Sequence, residues 1–462
     1  MRRPSLAAAV GCVVAATGLA AGIDPMSDNS LYTHIATGRL ILAGHLPHAD
    51  PYTFTAHGQP WVVQSWLASV LYAGAEKLGG LELTRLTIAL TAAALATVGW
   101  ILTRPAKTLV GRLAAVLPFL IVGFDGWGQR PLLLGLVFLG LALLAAEDVL
   151  DPRWLVPVGW AWLNIHGTWP LGLVALATLA AGRRFDGERP DVEVRAGIWL
   201  TIGLVVGSLN PFGPKLLVFP LTLLKRREAL KGIVEWQPPR FDNIGQYGFL
   251  LLVVVAIIAL KRAPSWRFVV PLAVFVVAAL LGARNVQIAS LVLLPVLSAG
   301  LRDLGSVDGD ERTPIATALA GLAVAMAVVV GATAFRGDPL NEHAYPVAAL
   351  RFLRDNDYDR TQLRVVSQDF VGNFLELVST TGTTDEFANV FIDDRAELTP
   401  LDVGHDYRVL LGGREGWEEA LERYQPDMVL WELNTPLAQL LELSPGWRRI
   451  YADTTFGIFV PA

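Results

Sequence analysis

Long apolar runs separated by short polar breaks fill the first 335 residues of the chain. A bilayer span needs about 20 apolar residues. Runs of this kind occupy 5–23, 82–102, 108–124, 131–147, 154–166, 168–182, 195–209, 246–260, 266–282, 286–301 and 314–335. They predict roughly eleven membrane helices, some short. His166-Gly167 and Pro170 interrupt 154–182, giving either a tight helical hairpin or one kinked element. The first run follows Arg2-Arg3 and is read as a retained helix. The alternative is a signal peptide cleaved near Ala20-Ala21, and Asp28 lies on the same side either way.

Beyond residue 336 charges return and the periodicity alternates. "YPVAALRFLRD" predicts a helix, "LRVVSQDF" a strand, "VGNFLELVS" a helix and "NVFIDDRAE" a strand. "GWEEALERY" (helix), "DMVLWEL" (strand), "PLAQLLEL" (helix) and a strand pair in "WRRIYADTTFGIFVP" follow. About 120 residues can bury a core of their own. The expected fold is therefore an α-helical polytopic membrane module, 1–335, followed by a small C-terminal extracytoplasmic α/β domain, 336–462.

Orientation follows from Lys and Arg in the short loops. Threading from a cytoplasmic N-terminus puts Arg104/Lys107, Arg153, Arg183/Arg184/Arg189, Lys261/Arg262/Arg267 and Arg302/Arg312 inside. The outer face receives loop 24–81, "FDGWGQRP", "NIHGTW", loop 210–245, "GARN" and the C-terminal domain. Loop 210–245 departs from the rule with six outer cations, and its "LLVFPLTLL" reads as an amphipathic or re-entrant piece.

Composition agrees with this reading and excludes several functions. The chain is 53% hydrophobic and 17% charged, where a soluble domain carries roughly a quarter charged residues. A net charge of −5 without a basic domain gives nucleic acid no footprint. The single cysteine, Cys12, lies in the first apolar run, which removes disulfides and Cys-based zinc sites. There is no Gly-rich phosphate loop in a strand-turn-helix context. A pair such as Asp393-Asp394 is expected to cap a strand end or form a surface ion pair with Arg395.

What remains polar gathers at the outer ends of the spans: Asp28, His34, Asp50, His57 and Trp61 in the first loop, then Gln129-Arg130, Asn164, His166, Asn210, Glu235-Trp236 and Arg284-Asn285. Ionisable residues at membrane depth are costly, and together these point to a site at the extracytoplasmic boundary. Interfacial polarity, turn chemistry at Asn164 and Gly167, and aromatic anchoring by Trp61 and Trp66 are the structural alternatives.

The succession "DNSLYTHIATGRLILAGHLPHADPYTFTAHGQPWVVQSWLASVLY", "GQRPLLLGLVFLGLALL", "WLNIHGTWPLGL", "LNPFGPKLLVFPLTLL", "IVEWQPPRF", "ARNVQIASLVLLPVLS" and "VFIDDRAE" resembles a group of bacterial membrane proteins. They look like members of the GT-C glycosyltransferase superfamily, similar to the protein mannosyltransferase and arabinose transferase type. The resemblance covers nearly the whole chain. It implies a sugar donor linked to a polyprenyl phosphate and a catalytic acidic residue in the first extracytoplasmic loop. By position Asp28 matches, with Asp50 as the second acid and Asp24 as a rival at the helix end. The acids here are separated, whereas some superfamily members carry an adjacent pair.

Transfer from a lipid phosphate needs a base at the acceptor hydroxyl and charge stabilisation on the leaving phosphate. Asp28 suits the first task in an inverting displacement. Arg130 and Arg284, at the outer ends of different spans, suit the second. His34, His166 and Glu235 are candidates for substrate contact. His45, His48 and His57 follow no metal-ligand spacing. Two first-loop carboxylates leave room for a divalent cation such as Mg²⁺, without naming its ligands. The expected partners are a polyprenyl-phosphate-linked sugar, a cell-envelope glycan or glycoprotein acceptor, and membrane lipids. The expected location is the plasma membrane. A flippase for lipid-linked sugars and a non-catalytic envelope scaffold are the other classes; no internal repeat favours the first, and roughly eleven spans exceed what an anchor for the second requires.

Overall fold

The computed structural model describes residues 3–225, 234–358, 363–379 and 389–462. Every apolar run predicted as a span is helical. The helices are Leu6–Ala21, the second half of Trp66–Leu102, Leu109–Gly126, Leu132–Ala146, Leu155–Ile165, Trp169–Phe185, Asp191–Gly207, Ile244–Arg262, Trp266–Leu281, Asn285–Val292 with Leu294–Gly300, and Pro314–Thr333. Among the described residues, Trp66–Leu102, Leu109–Gly126, Ile244–Arg262 and Pro314–Thr333 are long and apolar enough to cross a membrane. Others, such as Leu132–Ala146 and Trp266–Leu281, are apolar but shorter.

The breaks have local causes. His166 is extended (φ −157°, ψ 140°), and Pro170 sits in the first turn of the next helix, so 154–182 is two helices. Proline fits there because a first-turn N–H has no intrahelical partner. Within Trp66–Leu102 the helix is interrupted at Gly79 and Gly80, the latter at φ 71°, ψ −176°. Essentially only glycine adopts that backbone conformation. "LLVFPLTLL" lies in helix Lys215–Lys225, with Pro220 inside it. The cations at 226–231 lie outside the described residues.

The chain divides into two compact units. One is built chiefly from residues up to 25, 79–221 and on to 339, the other chiefly from 26–78 and 340–462.

In the first unit, helices meet through small residues. A Cβ on Gly203 would stand 2.5 Å from the carbonyl oxygens of Leu155 and Val156, so helices Leu155–Ile165 and Asp191–Gly207 touch backbone to backbone. Such close approach is how apolar helices gain packing where hydrophobicity alone cannot drive them together. Charged residues join helix ends. Buried Glu193 accepts from Nε of both Arg183 and Arg267 at 2.8 Å, and Arg267 Nη2 donates to Glu147 at 2.8 Å. This network ties the ends of Leu132–Ala146, Trp169–Phe185, Asp191–Gly207 and Trp266–Leu281 together.

The second unit carries a four-stranded sheet: β1 Val365–Ser367, β2 Met428–Glu432, β3 Trp447–Ala452 and β4 Phe456–Pro461, in the order β1-β2-β4-β3. β1 and β2 are parallel, and the other two pairs are antiparallel. Val366, Phe391, Leu410, Trp431, Leu441 and Phe459 lie in its core. "NVFIDDRAE", expected as a strand, forms only single bridges from Val390 to Val365 and to Thr53. The chain bends just beyond, where Asp393 accepts the Arg395 N–H at 2.8 Å. Helix Leu401–Gly412, ended by left-handed Gly413, was not anticipated. Its signals were present in Val403, Tyr407 and Leu410 on one face, with a glycine stop after them. Helices Asn29–Leu42 and Asp369–Ser379 pack against each other in the same unit.

Gly203→Ala should lower thermal stability of the detergent-solubilised protein by about 1–3 kcal/mol, the usual cost of forcing atoms into a packed contact. Gly197→Ala, on the same helix with open space at its Cβ position, should be neutral or slightly stabilising. Equal melting temperatures for the two variants would refute the close contact.

Candidate functional site

Asp28 is half-buried and begins helix Asn29–Leu42 as its N-cap, accepting the Ser30 N–H at 3.1 Å. Around it stand aromatic residues. Asp28 lies within electrostatic reach of Tyr32, Tyr72 and Tyr345. Burial, helped by Asp28 and Asp394, pushes the Tyr345 phenol up to about 12. Tyr345 Oη donates to the Ser27 carbonyl at 2.8 Å, and its ring stacks on Phe374 at 4.8 Å. These contacts hold the entry to the helix. His34, one and two-thirds turns along, has Nδ1 2.9 Å from Ser69 Oγ and its ring 6.4 Å from that of Tyr72. Asp28 and His34 therefore share Tyr72 as a neighbour although their spacing is poor for one helix face.

A polar chain runs inward from the residue next to Asp28. Asn29 Nδ2 donates to Asn373 Oδ1 at 3.2 Å, and Asn373 Nδ2 donates to Thr33 Oγ1 at 2.6 Å and Asp394 Oδ1 at 2.7 Å. The Thr33 hydroxyl donates to Glu376. Helix Asp369–Ser379 thus turns Asn373 and Glu376, one turn apart, toward helix Asn29–Leu42.

The chain ends at a buried guanidinium. Arg395 Nη2 donates to Asp50 Oδ1 at 2.6 Å and to Asp393, Nε donates to Asp393 at 3.1 Å, and Glu376 Oε1 lies 3.8 Å from Nη2. The rings of Trp61 and Tyr52 lie 4.5 and 5.0 Å from the guanidinium carbon. Asp50 also accepts the Tyr52 N–H, the Thr53 N–H and the Thr53 hydroxyl. Four donors and complete burial of its side chain fix Asp50 in place. Asp393 and Arg395 therefore form a buried pair, where a surface ion pair was expected.

Burial opposes every charge in this cluster, yet the outcomes differ. Burial raises Glu376, neighbouring Asp393 adds to it, and the carboxyl is held well above the ordinary range. Burial would also raise Asp393, but Arg395 outweighs it and Asp393 is held below the ordinary range. Burial would depress Arg395, but Asp393, Asp50 and Glu376 more than reverse this. Like charges in one dry site cannot all ionise freely, and Glu376 is the member that keeps its proton.

The helical unit holds the other candidates. Arg130, just before helix Leu132–Ala146, forms an ion pair with Glu235. The Arg284 guanidinium lies 4.3 Å from the centre of the Trp236 ring. The backbone joins the two segments, since Arg284 N–H donates to the Glu235 carbonyl at 3.1 Å and Ala283 N–H to that of Gln237 at 2.9 Å. Arg130, Glu235 and Arg284, proposed separately from sequence, are thus brought together. Gln129 Nδ-type amide donors reach the Asp24 and Pro25 carbonyls at 3.1 Å. His166 Nδ1 is 3.0 Å from Thr168 Oγ1, which also accepts from Trp162 Nε1 at 3.1 Å. Among the described residues, no three His, Cys, Asp or Glu side chains are grouped as ligands for a metal.

Sequence reasoning did not nominate Asn29, Thr33, Asn373, Glu376 or Asp394. The available signal was Asn373 and Glu376 set among Val371, Phe374, Leu375 and Leu377 in an otherwise buried stretch of helix.

Comparison with solved structures places this architecture. The chain is similar to the archaeal oligosaccharyltransferase AglB from Archaeoglobus fulgidus, determined in complex with an inhibitory peptide and a dolichol-phosphate. The TM-score is 0.53 at 12% identity, over 98% of this chain and 74% of that one. The apo oligosaccharyltransferase of the same organism gives a TM-score of 0.52 at 13% identity, over 92% of this chain and 69% of that one. AglB is a GT-C superfamily member, so the fold expected from the sequence resemblance is the fold found. No protein-family profile and no curated protein sequence matches the chain.

The buried cluster predicts a pH dependence. A carboxyl raised on folding costs stability as pH climbs through and above the ordinary glutamate range, whereas depressed Asp393 contributes stability that is lost on acidification. Glu376→Gln should therefore fold normally and flatten the alkaline side of the melting-temperature profile. Arg395→Met, which leaves Asp50 and Asp393 buried without their cation, should cost about 3–5 kcal/mol. A Glu376→Gln profile parallel to that of the parent protein would show that Glu376 is ionised in the folded state.

Proposed function

We propose that the chain is a membrane glycosyltransferase that moves a sugar from a polyprenyl-phosphate donor to an extracytoplasmic cell-envelope acceptor, with inversion. The observation that carries this reading is the likeness to AglB over 98% of the chain. That protein was solved with a dolichol-phosphate and a peptide, which supports a lipid-borne phosphate donor here and is compatible with a glycan or glycoprotein acceptor.

The placement of charged residues supports the multi-pass topology of roughly eleven spans with a cytoplasmic N-terminus. Arg130 and Glu147 flank opposite ends of helix Leu132–Ala146, and Arg284 and Arg267 flank opposite ends of helix Trp266–Leu281. Arg130 and Arg284 meet at Glu235-Trp236, whereas Glu147 and Arg267 meet at the other end. The first pair belongs to the proposed outer face and the second to the inner. The C-terminal domain is then extracytoplasmic.

In the reaction, Asp28 takes the proton from the acceptor hydroxyl as its oxygen bonds to the anomeric carbon. The bond from that carbon to the phosphate oxygen breaks, and the lipid phosphate leaves with the electron pair. Arg130 and Arg284 oppose the charge that develops on it, the role for which a guanidinium's fixed donors are suited. His34, near Asp28 across Tyr72, and His166, beside the outer turn, contact substrate. Asp50, saturated by Arg395 and the Tyr52–Thr53 backbone, is a positioning residue that fixes the first loop.

Asp28→Asn should abolish transfer in membranes supplied with a polyprenyl-phosphate sugar while leaving folding and donor binding near normal. Loss of a catalytic base typically costs about 10²–10⁴-fold in rate. Asp50→Asn should instead lower activity together with thermal stability. Full transfer by Asp28→Asn would remove Asp28 from the mechanism.

A further inference from the structure

Three charged groups of the helical unit meet with unequal pairing. Arg130 is paired with Glu235, both about half-exposed. Arg284 lies on the Trp236 face, and its guanidinium makes no hydrogen bond or ion pair among the described residues. Burial, reinforced by nearby Arg130 and countered by Glu235, holds Arg284 below its ordinary range. The cluster therefore carries two cations and one carboxylate, leaving a positive charge that an anion would satisfy.

The geometry limits how that anion enters. The backbone bonds from Arg284 to Glu235 and from Ala283 to Gln237 hold Trp236 beneath Arg284, so the guanidinium plane is preset on the ring. Arg130 is different, because its partner is a side chain on rotatable bonds. A phosphate monoester carries about −1.5 to −2 charges and three acceptor oxygens. It matches two guanidinium groups better than one carboxylate does, and it repels that carboxylate.

Building on the transferase reading, we propose that Glu235 is an internal counter-ion that occupies Arg130 when no phosphate is bound and competes with a phosphate monoester for it. The monoester is the spent lipid carrier of the proposed reaction. Before transfer the donor phosphate is a diester with one charge; afterwards it is a monoester with more. Glu235 therefore opposes the product most strongly and hastens its release. This is a positioning role with an effect opposite in sign to that of a substrate contact or a catalytic base.

The test is equilibrium binding to the full-length protein in nanodiscs of zwitterionic lipid, with a short-chain polyprenyl monophosphate and inorganic phosphate as separate probes. Glu235→Gln should tighten binding about three- to fivefold, the worth of a half-exposed ion pair, and Glu235→Ala should shift it the same way. Arg284→Ala should weaken binding about tenfold, as loss of a charge-assisted contact does. In an Arg130→Gln background, Glu235→Gln should have little effect, since the competition has been removed. Tightening with both probes assigns the effect to the phosphate group; tightening with the lipid alone assigns it to lipid-borne phosphate. Unchanged or weakened binding of both probes in Glu235→Gln would overturn the proposal. The readout is binding, so a protein that shows this order of affinities yet transfers no sugar would refute the transferase reading and leave the counter-ion role standing.

Discussion

Arg395 organises the second unit by drawing together carboxylates from distant parts of the chain. Asp50 comes from the first loop, Glu376 from helix Asp369–Ser379 and Asp393 from the bend beside Arg395. A buried ion cluster seldom adds much net stability, because desolvation offsets the attraction. Its value here is in specification. A loop that supplies Asp50 to Arg395 must also lay Tyr52 and Trp61 against the guanidinium and let Phe54 N–H reach the Val390 carbonyl at 2.9 Å. Any other register of the first loop would leave a charge stranded in the core.

The first unit solves a different problem. Hydrophobicity alone does not tell one apolar helix from another in lipid, so pairing is encoded by shape and by charge. Gly159 and Gly203 permit backbone contact, and the Glu147, Arg183, Glu193 and Arg267 network joins helix ends. Both devices are sparse and local. Together they leave the Arg130, Glu235 and Arg284 end of the same helices available for chemistry.

The helices of the first unit were legible because each apolar run is long enough to state its own structure. Helix ends were legible as well where proline, glycine or an extended residue marked them, as at His166 and Pro170. In the C-terminal part, Met428–Glu432 and the final hairpin were clear from β-branched and aromatic clustering. "NVFIDDRAE" misled because three consecutive buried residues, Val390, Phe391 and Ile392, mimic a strand although Val390 alone makes bridges. The ion cluster was hidden for another reason. Asp50, Glu376 and Arg395 are hundreds of residues apart or have no distinguishing neighbours, and only tertiary packing selects which acid meets which base. Arg130, Glu235 and Arg284 were individually conspicuous as polar residues at the ends of apolar runs, but their mutual contact could not be read from spacing.

The Gly79-Gly80 break also bears on how the chain can change over evolutionary time. In an unbroken helix, one inserted residue turns everything beyond it by about 100° and advances it by about 1.5 Å. The two glycines stop that propagation, since Gly80 has φ 71° and cannot carry helical register across. The amphipathic piece Trp66–Leu78 is thereby uncoupled in rotation from the apolar segment that follows. Insertions and deletions in the first can accumulate while the lipid-facing stripe of the second stays where it is.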